Sequence, residues 1–142
     1  MTLRYLLDTA VVGAPVLTTP DADVVRRLEK KGQECAVPAP VWSELLTAAE
    51  RLPPGSDRRA TLERYLQEVV RRSFPVVPFD DTAAAWLARE TTRRARVGRD
   101  LRTVDGQIAA IAVTRGMALV TSATEAKRHA EVPGLRVEVW GR

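Results

Sequence analysis

Five short apolar runs are spread along this chain with segments of helical composition between them, and that alternation restricts the fold more than any other feature of the sequence. The runs are LRYLL at 3–7, CAV at 35–37, FPVVPF at 74–79, MALVT at 117–121 and LRVEVW at 135–140. Each is too short for a globular helix and apolar enough for a buried strand. Strands that alternate with helices predict an α/β fold with a mainly parallel central sheet between two helical layers, a three-layer α/β/α sandwich.

The intervening segments carry helix punctuation. PDADVVRRLEKKG at 20–32 has Pro20 and acids at its start, bases at its end and Gly32 beyond, the marks of a capped helix. Pro40 opens the helix VWSELLTAAERL, whose Trp42, Leu45, Leu46 and Ala49 form an inward stripe, and Pro53, Pro54 and Gly55 stop it. A helix from about Ser56 to Arg72, with Leu62, Tyr65, Leu66 and Val69 on its apolar face, pairs with its predecessor. Asp80 or Asp81 caps a long helix reaching about Val97, with Ala84, Leu87 and Ala88 expected inside and Gly98 at its end. Thr103 or Val104 opens a helix whose Ile108, Ala109, Ile111 and Ala112 suit close packing on a sheet, and Gly116 ends it. A short polar helix is expected at about 123–130.

A chain of 142 residues with 45% hydrophobic content fits one domain over 1–142 with a real core. The lone Cys35 excludes an internal disulfide or a cysteine-rich zinc site, so a reducing cytoplasm is the expected home. Asp8 interrupts the early apolar run, and no clear cleavage pattern follows, which argues against an export signal. No uninterrupted apolar stretch approaches membrane-spanning length, so no membrane is expected. The net charge of +4 leaves 22 Lys and Arg over 18 Asp and Glu, a weak pointer to a polyanion. Arg89, Arg93 and Arg96 share a helical face, with Arg99 and Arg102 in the loop beyond. This stripe is either a phosphate-binding surface or a solvated or docking face.

Three acids then stand out. Asp8 closes the first strand, Glu44 lies in an amphipathic helix and Asp105 heads the most apolar helix. In open parallel sheets, ligand sites form beyond the carboxyl ends of the strands, where helix N-termini also point. Each acid has a plainer reading: Asp8 as a cap for a turn or helix near Thr9, Glu44 as a solvated partner of Arg51, Asp105 as a first-turn acid favoured by the helix dipole. Yet an acid heading a buried helix needs a partner, and clustered carboxylates are tolerated mainly when they hold a hard cation such as Mg²⁺ or Mn²⁺. Asp100, between Arg99 and Arg102, reads as a surface ion pair. His129 is the single histidine, so no histidine-rich metal site or hydrolytic triad is expected. Walker-type and dinucleotide glycine patterns are missing.

LRYLLDT at 3–9, VWSELLTAAE at 41–50, VDGQIAAIAVTRGMALVT at 104–121 and VPGLRVEVW at 132–140 resemble the PIN-domain ribonucleases, specifically the VapC-type toxins of bacterial toxin–antitoxin modules. The resemblance implies a PIN-like α/β/α fold, Mg²⁺ or Mn²⁺ dependence, endonucleolytic RNA cleavage, a homodimer and a cognate antitoxin. By position it makes Asp8 and Asp105 the principal metal ligands and Glu44 the next acid of the site. Two positions depart from the pattern. Ala10 replaces an Asn or Ser, and Ala123 stands where an Asn or Asp is expected two residues after the strand-ending Thr121. Glu125 is the candidate replacement, or else a solvated helix residue. Thr121 or Ser122 could position water, and Arg99 and Arg102 could hold the RNA backbone. A rival reading is a PIN-like binding module with weakened catalysis that works through its antitoxin complex. A receiver-like phosphoacceptor needs a lysine after a late strand, and Lys127 fits that place poorly.

Overall fold

The computed structural model describes residues 2–129 and 131–142. Strand β1 (Tyr5–Leu7) lies at the middle of a five-stranded sheet. On one side are β2 (Cys35–Pro38) and β3 (Val76–Val77), on the other β4 (Ala118–Thr121) and β5 (Val137–Val139). Every pairing is parallel, so the sheet expected to be mainly parallel is wholly so, and all five strands end at the same edge. All four residues of β2 and of β4 are buried, as strands covered on both faces require. The expected strand 74–79 shrinks to Val76–Val77 because Pro75 and Pro78 flank it and remove ladder donors. The last strand is likewise shorter than 135–140, with Val137 and Val139 half-exposed at the sheet edge.

Helices cover the sheet: α1 (Thr9–Gly13), α2 (Ala22–Lys31), α3 (Ala39–Glu50), α4 (Asp57–Arg64), α5 (Arg71–Ser73), α6 (Asp81–Arg96) and α7 (Thr103–Arg115). Gly116 closes α7 in the left-handed region at φ 66°, where an L side chain is strained. The seven buried residues of α7 include Ile108, Ile111 and Ala112, which makes this helix the core layer of its face. Between α4 and α5, Tyr65–Val70 winds as π-helix. That wider turn changes which residues face inward: Leu66 and Val70 are buried, while Val69, expected inside, is 45% exposed. Tyr65 donates to the Val12 carbonyl at 2.6 Å, tying this helix to α1, and burial pushes its phenol up to about 12. Burial and the Glu34 charge likewise push the Cys35 thiol up to about 12, so this cysteine is a packing residue.

Asp80 caps α6, accepting from the Ala83 amide at 2.9 Å. The buried face of α6 is Ala83, Glu90 and Arg94, with Leu87 half-buried; Ala84 and Ala88, expected inside, are exposed. The reason is the close approach of α6 to α7. A Cβ at Gly106 would meet Leu87 Cδ1 at 2.9 Å, so this glycine lets Leu87 rest on the first turn of α7, directly beside Asp105. The expected polar helix is one 3₁₀ turn, Ala126–His129, and residue 130, to which it was expected to reach, lies outside the described residues. Among the described residues, no helix is long and apolar enough to cross a membrane.

Candidate active site

Register places Asp8. Leu7 pairs with Val120, and the Asp8 amide donates to the Val120 carbonyl at 2.9 Å, so Asp8 leaves the sheet beside Thr121 at the end of β4. It is also the N-cap of α1, accepting from the Thr9 amide at 2.8 Å. The capping role weighed in the sequence is therefore real, and it turns the carboxylate across the strand ends. Oδ2 accepts from the Thr121 hydroxyl at 2.9 Å and lies 3.4 Å from His129 Nε2. Asp8 is 7% exposed and His129 3%. Burial pushes the Asp8 carboxyl up, but hydrogen bonds from His129, Thr121 and Thr9, with the His129 charge, outweigh it and hold the group below the ordinary carboxylate value. Asp8 is thus kept ionised in a buried setting.

Glu44 faces the same region from α3 and accepts from the Thr9 hydroxyl at 2.7 Å. Thr9 therefore touches both acids, Asp8 through its amide and Glu44 through its side chain. Glu44 also lines a cleft of about 390 Å³ together with Val104 and Gln107, the residues on either side of Asp105–Gly106. Asp105, in the first turn of α7, is 5% exposed. Both of its oxygens accept from Arg102, Oδ2 from Nε at 2.9 Å and Oδ1 from Nη2 at 3.2 Å. Its bonds to Asp105 and the Asp105 charge raise the Arg102 guanidinium above its ordinary value, and the charges of Glu44 and Glu125 raise it further. Acids from three separate segments thus act on one cationic group.

Glu125 is half-buried and pairs with Arg128 at 2.7 Å; its amide donates to the Ser122 hydroxyl at 3.3 Å. Thr121 and Ser122 make internal bonds, to Asp8 and to the turn that carries Glu125. Ala10 and Ala123 are exposed and bring no oxygen from their side chains. Arg99 and Arg102 do not serve Asp100 as the sequence suggested; they bond Glu131 and Asp105. Sequence reasoning missed His129, which is buried against Asp8 rather than exposed in a polar stretch. Among the described residues, no three His, Cys, Asp or Glu side chains are gathered closely enough to hold a metal ion as they stand. A larger, mainly apolar groove of about 840 Å³ opens beside the site, with Thr9, Ala10 and Ser122 at its border and Leu17, Leu45 and Leu62 among its walls.

A central strand ending in a buried aspartate, with further acids arriving from α3 and the head of α7, matches a known pattern. The sequence profile of the PIN domain fits residues 5–132. The chain belongs to the PIN-domain family. This PIN domain is 27% identical over 138 residues to the tRNA(fMet)-specific endonuclease VapC of Shigella flexneri, covering 97% of this chain and 98% of that one. Its fold matches that of DNA-bound VapBC from Salmonella typhimurium with a TM-score of 0.84 at 23% identity, covering 98% and 99% of the two chains. It also matches VapBC-5 from Mycobacterium tuberculosis, a member of the VapBC family of toxin–antitoxin systems. There the TM-score is 0.70 at 22% identity, with 96% and 98% covered. The likeness to VapC-type toxins read from the sequence holds, and so does the α/β fold with its five parallel strands.

Proposed function

We propose that this PIN domain is a Mg²⁺- or Mn²⁺-dependent endoribonuclease and the toxin of a toxin–antitoxin pair. The observation that carries this reading is the buried Asp8 at the end of the central strand, joined through Thr9 to Glu44 of α3, with the buried Asp105 at the head of α7, whose neighbours Val104 and Gln107 line one cleft with Glu44. Carboxylate oxygens are hard donors that suit Mg²⁺ or Mn²⁺, and they offer nothing to a soft metal. Asp8 and Asp105 are the proposed metal ligands, with Glu44 and Glu125 as further acids of the site. When bound, such an ion lowers the pKa of a water and neutralises charge developing on phosphoryl oxygens.

The chain's own groups do the rest. Thr9, Thr121 and His129 fix the orientation and charge of Asp8, and Thr9 also holds Glu44 toward it. The α7 N-terminus favours the negative charge of Asp105. Exposed arginines of the loop before α7 hold phosphates of single-stranded RNA without reading bases. The apolar groove bordered by Thr9 and Ser122 offers a seat from which an antitoxin segment would cover the acids, and a homodimer in a cytoplasm completes the proposal. The Shigella relative, named as a tRNA endonuclease, supports the substrate class. The rival reading, a weakened PIN-like module acting through antitoxin binding, is favoured by Ala10 and Ala123, which add no ligand.

One assay separates the two. Purified protein, freed of partner, should cleave RNA with Mn²⁺ and stop with EDTA, and Asp8→Asn and Asp105→Asn should each lower the rate by about 100-fold or more, the scale on which loss of a transition-state charge stabiliser is felt. A folded wild-type protein with no chelator-sensitive cleavage would move the conclusion to the binding module. Glu125→Gln, run in parallel, tests whether that acid takes part.

A further inference from the structure

We infer that Arg102 is a built-in competitor of the divalent cation: its guanidinium and the metal exclude one another at Asp105, so that this side chain sets the affinity of the site for its ion. The inference rests on the reading of Asp105 as a metal ligand. Geometry carries it. Arg102 is the N-cap residue of α7, with φ −60° and ψ 145°, and from there its side chain runs forward three residues to Asp105. It engages both carboxylate oxygens, at 2.9 and 3.2 Å. A fork of this kind takes one in-plane lone pair on each oxygen, the two positions that a chelated ion would use.

Accessibility sets the direction of approach. The Asp105 side chain is 6% exposed and that of Arg102 is 57% exposed, so the guanidinium covers the carboxylate from the solvent side, where an ion would enter. Among the described residues, every side-chain hydrogen bond to Asp105 comes from Arg102. Asp8 differs, because its donors belong to the framework. Arg102 is held by a half-exposed pair that water can replace at little cost, whereas a doubly charged ion gains from Asp105, Glu44 and Glu125 together. On losing Asp105 the guanidinium stays tethered at the mouth of the cleft, free to meet a phosphate.

Mn²⁺ alone is the probe, titrated into the full chain and followed by loss of the free-ion EPR signal. Arg102→Ala should bind Mn²⁺ roughly three- to tenfold more tightly than wild type, the scale expected from removing one partly screened charge and one exposed pair. Arg102→Gln, which keeps length but not charge, should do the same and guards against an Ala variant that misfolds. Arg26→Ala, with an equal change in net charge at an exposed α2 residue paired with Asp23, should stay within about twofold by screening. The inference is overturned if wild type binds Mn²⁺, Asp105→Asn weakens that binding, and neither Arg102 variant tightens it. That result leaves Asp105 as a ligand. If wild type and both Arg102 variants all fail to bind Mn²⁺, this inference and the metal-dependent reading of the site fall together.

Discussion

Asp8 and Asp105 are both buried aspartates at the carboxyl edge of one parallel sheet, yet they are held in opposite ways. Asp8 sits among donors that belong to the framework: the amide that begins α1, the hydroxyl that ends β4 and the ring of His129. The amide cannot leave without breaking the start of α1, and the two side chains are themselves buried. Asp105 is satisfied by a single mobile side chain three residues away. The first acid is fixed by the fold and the second by one exposed arginine, a division that suits the ion-binding role proposed for the pair.

The contrast can be broken most directly by truncation. Asp8→Ala leaves the Thr9 amide, the Thr121 hydroxyl and the His129 ring without an acceptor in a buried setting, and should lower unfolding free energy by about 2–4 kcal/mol. Asp105→Ala frees an exposed arginine to water and should cost about 1 kcal/mol or less. Urea denaturation of the two variants checks this, and equal losses would mean that Asp8 has no special support. Next in size is Thr121→Val, which removes one donor to Asp8 at nearly constant volume and should cost about 1 kcal/mol in the same experiment.

Acid gives the third handle. Asp8 has a lowered folded value, so its contribution to stability is present above the ordinary carboxylate pKa of about 4 and is lost as pH falls through the lower folded value. Wild type should therefore lose more stability than Asp8→Asn between pH 6 and pH 3. Matching slopes would show that the network does not hold the charge. An effect on the scale of the Thr121 variant is expected at Gly106→Ala, where the new Cβ lies 2.9 Å from Leu87 Cδ1. The end of a flexible side chain can move, so stability should fall by about 1 kcal/mol or somewhat more. Because Leu87 backs the first turn of α7, Mn²⁺ affinity should shift in this variant while the Asp8-dependent acid slope does not.

The sequence reading succeeded where a local rule and the tertiary structure agree. Pro40, Gly116 and the Asp80 cap marked true helix ends, and Asp8 and Asp105 were legible because a strand end and a helix head are the places where polar atoms reach a parallel sheet's binding edge. It failed where packing chose between locally equal options. Alanine carries little phase information, so Ala84 and Ala88 could not be told from Ala83 until Leu87 was seen against Gly106. Val69 lost its place to Val70 because a π turn changes the register of a helical stripe, and nothing in YLQEVV announces that turn. Arg102 lies two residues from Asp100 and three from Asp105; the chain alone did not say that the buried acid would win. His129 was invisible because a single 3₁₀ turn has no amphipathic period to read.

The central place of β1 governs when this protein becomes competent during its own synthesis. Asp8 leaves the ribosome well before its hydroxyl donor, which lies 113 residues downstream. At about 5–20 residues per second, that separation is an interval of roughly 6–23 s. Throughout it the nascent chain holds half a centre, with β1 lacking one neighbour and Asp8 lacking the Thr121 strand end. A chain with the proposed activity is therefore disarmed toward its own message until the Thr121 strand has been made, by topology alone and before any partner arrives.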